Sequence, residues 1–168
     1  MSTVAQNQGQ SVYLPAPKEV RDLLENLLGR DVSLRPGPPF AVSAYYPASV
    51  AQFVDSSLVI RATMALDLPL SAAVSAALAL VPATGAEQAI HDGFLSPTMA
   101  EAMQEVFNVT SSMFNVGNAA HLRLYSAHTA GQDLPADARA RTQVLGRRVD
   151  FGVEVAGYGS GRVAVVLS

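Results

Sequence analysis

The chain has 168 residues, 49% of them hydrophobic and 15% charged, which suits one compact domain with a substantial core and is short for two. Its formal net charge is −3, so it carries no electrostatic footprint for nucleic acid, and it has no cysteine, which excludes disulfides, thiolate catalysis and cysteine-ligated zinc. The most apolar run, Leu68 to Pro82, falls short of the roughly 20 residues that span a bilayer, and the N-terminus lacks a secretory signal; a cytoplasmic protein without a membrane partner is expected.

Residues Met1 to Ser11 are small and polar and offer little to bury, which predicts a flexible tail over 1-14 ahead of a single domain over 15-168. From Pro17, "PKEVRDLLENLLGR" sets Val20, Leu23, Leu24, Leu27 and Leu28 at helical spacing, with proline at the start and Gly29 at the stop. The proline-punctuated stretch that follows predicts two short strands, Val32 to Arg35 and Ala41 to Tyr46, around a turn. In "SSLVIRATMAL", Leu58, Ile60, Ala62 and Met64 alternate with wetter positions, as in an antiparallel strand.

"SAAVSAALALVP" reads as a buried helix ended by Pro82, and "TGAEQAIHDG" as a short one, with Thr84 and Glu87 at capping-box spacing and Gly93 past the end. Ser96 and Pro97 then supply a cap and a first helical residue for "TMAEAMQEVFNVTSSMFN". The last third alternates: "HLRLYSA", "RVDFGVEVAG" with Val149, Phe151, Val153 and Val155 on one side, and "RVAVVLS". Helices and strands are segregated rather than alternating, which predicts an α+β fold with an antiparallel, mixed-order sheet of about six strands packed against helices.

The helix after Ser96 carries the candidate site. At about 100° per residue, Met99, Met103, Val106, Phe107, Thr110, Met113 and Phe114 form a wide apolar face, and Glu101, Glu105, Asn108 and Ser112 form a stripe opposite. An amphipathic helix needs a solvated face of this kind in any case. Asparagine, however, is a poorer mid-helix residue than the Gln, Lys or Glu that a neutral exposed position favours.

Glu105 to Asn108 has the form acid, two residues, asparagine, on a helix that follows a strand, a small-residue helix and a short helix. With "EVRDLLENLLGR", "LVIRATMALDLPLSAAVSAALALVP" and "EAMQEVFNV", the chain from Pro17 to its C-terminus resembles the CheC/CheX/FliY family of chemotaxis phosphatases, in its single-motif CheX-like branch. The resemblance implies a CheX-like fold and an enzyme that dephosphorylates a phosphorylated CheY-like response regulator by docking this helix across the regulator's active site. It implies that Glu105 pairs with the regulator's lysine and Asn108 holds the attacking water, as the catalytic residues, while Glu101 and Ser112 frame the contact as partner-binding residues.

It further implies no cofactor on this chain, with magnesium on the partner. The chain departs from the family pattern at two flanking positions: Glu101 stands where Asp or Ser is common, and Ser112 where glycine often follows. In "ENLLG" of the first helix, Glu25 and Asn26 are adjacent and point about 100° apart, so one site per chain is expected. The rival reading is a non-catalytic signalling or binding module with the same fold, or a homodimer joined through a sheet edge; a small-molecule-binding domain has no residue that speaks for it.

Other signals read as structure. His91, His121 and His128 lack the spacing of a metal pair, and "GYGSGR" at Gly157 to Arg162 joins two strands, lacks a phosphate-binding lysine and reads as a hairpin. The basic cluster Arg139 to Arg148 is too short to reverse the overall charge, and the Met99, Met103 and Met113 stripe is what a core-facing helix requires.

Overall fold

The structure, a computed structural model, describes residues 10 to 168. In chain order the elements are α1 (Pro17–Leu28), β1 (Val32–Pro36), β2 (Ala48–Val54), β3 (Ile60–Asp67), α2 (Leu68–Ala79), α3 (Ala83–Asp92) and α4 (Pro97–Thr110). A 3-10 turn (Ser111–Phe114), β4 (Arg123–His128), α5 (Ala136–Thr142), β5 (Arg148–Val155) and β6 (Gly159–Leu167) follow. The six strands form one sheet in the order β1-β5-β6-β3-β2-β4, every neighbouring pair antiparallel. The α+β class and the antiparallel, mixed-order sheet of six strands are as expected.

One sheet face carries the main core. Ala51 and Phe53 of β2, Ala62, Met64 and Leu66 of β3, and Val163 and Val165 of β6 meet the buried faces of α1, α2, α3 and α4 there. Helix α2 is the centre of that layer: its alanines and serines bury it on nearly every side and let it lie close to the sheet while α4 packs over it. Its serines are satisfied internally, Ser71 Oγ donating to Leu66 O at 2.9 Å and Ser75 Oγ to Ser71 O at 2.6 Å.

The opposite face is covered more thinly. Phe40 and Val42 pack there with Val50, Ala65, Ala164 and Val166, and α5 lies across β3 and β6. A bidentate, almost fully buried ion pair from Arg148 to Asp150, at 2.7 and 2.8 Å, anchors this cover. The same guanidinium donates to the carbonyls of Thr142 and Val144, which ties the end of α5 to β5.

Several expectations are corrected. Residues 41 to 46 are not a strand; Ser43 and Tyr46 close a turn through a single bridge, and the second strand is Ala48–Val54. All seven residues of that strand are buried, so no alternation marks it. Leu58 lies before β3, in a tight turn at φ 63, where Asp55 Oδ1 accepts from the Ser57 and Val59 amides. Helix α2 stops at Ala79, with Leu80 in the left-handed region, rather than at Pro82.

Pro82, not Thr84, caps α3, and no capping box forms there. Helix α5 was not anticipated. The tail expected over 1-14 lies outside the described residues as far as residue 9. The described end of it is anchored: Ser11 O accepts from the Ala120 amide at 3.0 Å, and Val12 is buried in the main core.

Candidate functional site

Helix α4 starts where the sequence predicts. Ser96 Oγ accepts from the Met99 amide at 3.3 Å, and Pro97 occupies the first turn, where its missing N–H costs nothing. Met99, Met103, Val106, Phe107 and Thr110 are buried. Their burial fixes the rotation of the helix and turns Glu101, Glu105 and Asn108 outward, all three exposed.

Among the described residues, no hydrogen bond or ion pair engages the Glu101 or Glu105 carboxylate or the Asn108 carboxamide. The pair named as catalytic therefore shares one solvent-facing side of α4, one turn apart, with its polar atoms uncommitted. Glu101 extends the row by one turn toward the N-terminus.

Ser112 lies just past the α-helical part of the row. The α-helix ends at Thr110, and the chain tightens into a 3-10 turn, which advances about 120° per residue instead of 100°. Ser112 is exposed there, but its Oγ donates to Val109 O at 2.9 Å, as Ser111 Oγ donates to Asn108 O at 2.8 Å. Its hydroxyl closes the helix end, and the tighter winding turns the residue only about 40° from its α-helical position, still near the line of Glu105.

The platform beneath the row is stiff. Met113 and Phe114 are buried, with the Phe114 ring 5.0 Å from that of Phe53 on β2. Asn115 clamps the following loop by accepting from the Leu122 amide at 2.8 Å and donating to Leu122 O at 3.1 Å. From the side of α4, Gln104 Nε2 donates to Ala127 O of β4 at 3.2 Å, strapping the helix to the edge of the sheet. A helix held this way presents the row from a fixed backbone, so that binding has only the side chains left to order.

Beside α4, a groove of about 540 Å3 opens against α1, lined by Glu19, Asp22, Leu23, Asn26, Leu27 and Val109. Sequence reasoning missed it, because it joins two helices distant in the chain. The available signal was the width of the α1 apolar stripe: Leu23 and Leu27 stand outside the fully buried set Val20, Leu24 and Leu28.

The histidines stay apart, with His91 and His121 exposed and His128 half-buried at the end of β4. Among the described residues, no group of three or more His, Cys, Asp or Glu side chains could hold a metal ion. None of their helices is long and apolar enough to cross a membrane.

No protein-family model and no curated protein sequence matches the chain. Solved structures do. A chain of the CheX-CheY-BeF3-Mg+2 complex from Borrelia burgdorferi superposes with a TM-score of 0.52 at 11% identity, over 99% of this chain and 97% of that one. The chain has the CheC/CheX/FliY fold. The FliM middle domain from Vibrio alginolyticus matches with a TM-score of 0.53 at 14% identity, over 89% of this chain and 86% of that one. FliM from Helicobacter pylori, in its complex with SpeE, matches with 0.54 at 7% identity, over 89% and 80%. The fold thus holds over almost the whole chain at identities too low to carry function by themselves.

Proposed function

We propose that the chain is a CheX-like phosphatase that hydrolyses the aspartyl phosphate of a CheY-like response regulator in the cytoplasm, as part of chemotaxis or a related two-component pathway. The observation that carries this reading is the exposed, uncommitted Glu105–Asn108 pair on a rigid helix of the CheX fold.

Hydrolysis of an acyl phosphate needs a water in line with the bond from phosphorus to the aspartyl oxygen, and little covalent help from the protein. The Asn108 carboxamide can donate to and accept from that water at once, fixing its lone pair toward phosphorus. The water oxygen bonds to phosphorus, the bond to the aspartyl oxygen breaks, and inorganic phosphate and a free carboxylate result. Glu105 pairs with the receiver's lysine and sets the register of α4 across the pocket, with Glu101 and Ser112 at the rim of the contact. Magnesium, held by the receiver, supplies charge neutralisation of the phosphoryl oxygens.

The test incubates phosphorylated receiver domains and magnesium with wild type, Glu105→Gln and Asn108→Ala while phosphate release is followed. Acceleration by wild type that both variants lose supports the reading; release at the spontaneous rate with all three, across several receivers, rejects it.

A second reading rests on the FliM middle domains, which match as well as the CheX-CheY complex does. On it the chain is a non-catalytic module that binds a signalling component or forms a homodimer through one of the sheet edges, β1 or β4. Receiver binding without acceleration would favour that reading.

A further inference from the structure

The charge of the chain is unevenly placed. Helix α1 carries two cations against three anions, and α4 carries two anions and no cation, so these two helices account for the whole formal net charge of −3 and the remainder balances. Between them lies the groove of about 540 Å3 described above. Leu23 and Leu27, one turn apart on α1, and Val109 on α4 give it an apolar floor, and Glu19 and Asp22 stand on its rim.

The rim is fixed in sign and position. Arg21 pairs with Asp22 at 3.1 Å and Glu25 at 3.5 Å, so the Asp22 charge is partly offset within α1, and Glu19 is the rim carboxylate with no ion pair among the described residues. Glu19 is oriented by the Ala16 amide at 2.9 Å and by the Tyr13 hydroxyl. Val109 directly follows Asn108 and points about 100° round α4 from it, so the groove flanks the proposed catalytic row and both lie within the span of one docked domain.

We infer that the α1–α4 groove is a second part of the receiver-docking surface and accepts an aliphatic side chain of the receiver flanked by lysine or arginine. This rests on the phosphatase reading for the identity of the partner, and adds to it a specificity determinant on a helix that carries no catalytic group. The apolar floor supplies a desolvated anchor of the kind that dominates interface energetics. The acidic rim rejects receivers with acidic groups at the matching position and speeds encounter with basic ones.

The experiment measures the affinity of a receiver, held in its activated form with beryllofluoride and magnesium, by fluorescence anisotropy at low and high salt. Wild type is compared with Leu27→Gln, Asp22→Lys, Asn108→Ala and Glu154→Lys, the last a charge reversal on the exposed face of β5 away from the groove. Melting curves confirm that each variant is folded. The groove proposal predicts that Leu27→Gln and Asp22→Lys each weaken binding by about tenfold or more, Asp22→Lys also flattening the salt dependence, while Glu154→Lys binds as wild type does.

Folded Leu27→Gln and Asp22→Lys proteins that bind within about twofold of wild type would overturn it, as would absence of binding to every receiver tried. The two readings fail separately. If wild type binds the receiver without speeding its dephosphorylation, and the groove variants still weaken binding, the catalytic reading falls and the groove stands. If phosphate release depends on Asn108 but not on the groove variants, in rate or in affinity, the reverse holds.

Discussion

Gly161 lies against Asp67 so closely that a methyl group at position 161 would come within 2.3 Å of the Asp67 Oδ1 atom and 2.5 Å of the Leu70 nitrogen. That carboxylate oxygen caps α2, accepting from the Leu70 and Arg162 amides at 3.0 Å each, while Tyr46 donates its hydroxyl to the other oxygen at 2.6 Å. One buried acid thus joins β3, β6, the turn at Tyr46 and the start of the central helix. Gly161→Ala drives a side chain into this junction and is expected to cost about 3 kcal/mol through overpacking and loss of the cap. Denaturant unfolding of wild type and variant measures it, and equal stability would mean that the contact is not as close as it stands here.

Tyr46 reports on the same junction through its ionisation. Burial first, and then the hydrogen bond to Asp67, push its hydroxyl from the ordinary value of 10.0 up to about 12. The folded state therefore keeps a proton that the unfolded chain releases near pH 10. The stability this contributes is complete below pH 10 and is lost as the pH rises toward 12. Tyr46→Phe should be less sensitive than wild type to pH in that window, as read from melting temperatures taken across it; parallel curves would remove Tyr46 from the account.

Much of this architecture could be read in the residues, and the parts that could not have a common cause. Helix α4 announces itself through Ser96, Pro97 and its apolar period, and the outward direction of Glu101, Glu105 and Asn108 follows from which residues are greasy. Strand β2 is covered on both faces and so has no alternation to read, whereas the prolines around residues 41 to 46 bound a turn in which Val42 is buried in the far core and Tyr45 is exposed. Helix α5 buries only Ala138 and Thr142, too few to show a period; the Arg148 contacts to its end come from β5. In each case the deciding contact comes from another part of the chain.

On the far side of the sheet, Thr63 faces Gln52 across the β2–β3 pair, and both the Thr63 hydroxyl and the Gln52 amide nitrogen are buried without a partner among the described residues. Only the Gln52 oxygen is engaged, accepting from Ser126 Oγ at 2.9 Å. An unpaired buried hydroxyl costs more than an apolar group of the same shape, so Thr63→Val should stabilise the protein by about 1 kcal/mol. The expected sign is a higher urea midpoint with an unchanged slope. A lower midpoint would show that the hydroxyl is satisfied in solution.

The solvent-facing position of Glu105 and Asn108 separates their roles from stability. Both side chains are exposed and, among the described residues, unbonded, so Glu105→Gln and Asn108→Ala should unfold within about 0.5 kcal/mol of wild type. A larger loss would mean that the row is part of the scaffold and not a working surface.

Turnover tests the central claim most directly. One chain is mixed with about a hundredfold excess of a receiver phosphorylated on its aspartate, and the decay of the acyl phosphate is followed in the presence of magnesium. The account predicts that wild type clears the whole pool well ahead of spontaneous hydrolysis and that Asn108→Ala, equally folded, leaves the decay at the uncatalysed rate. Identical decay with wild type, with Asn108→Ala and with no added protein would contradict it.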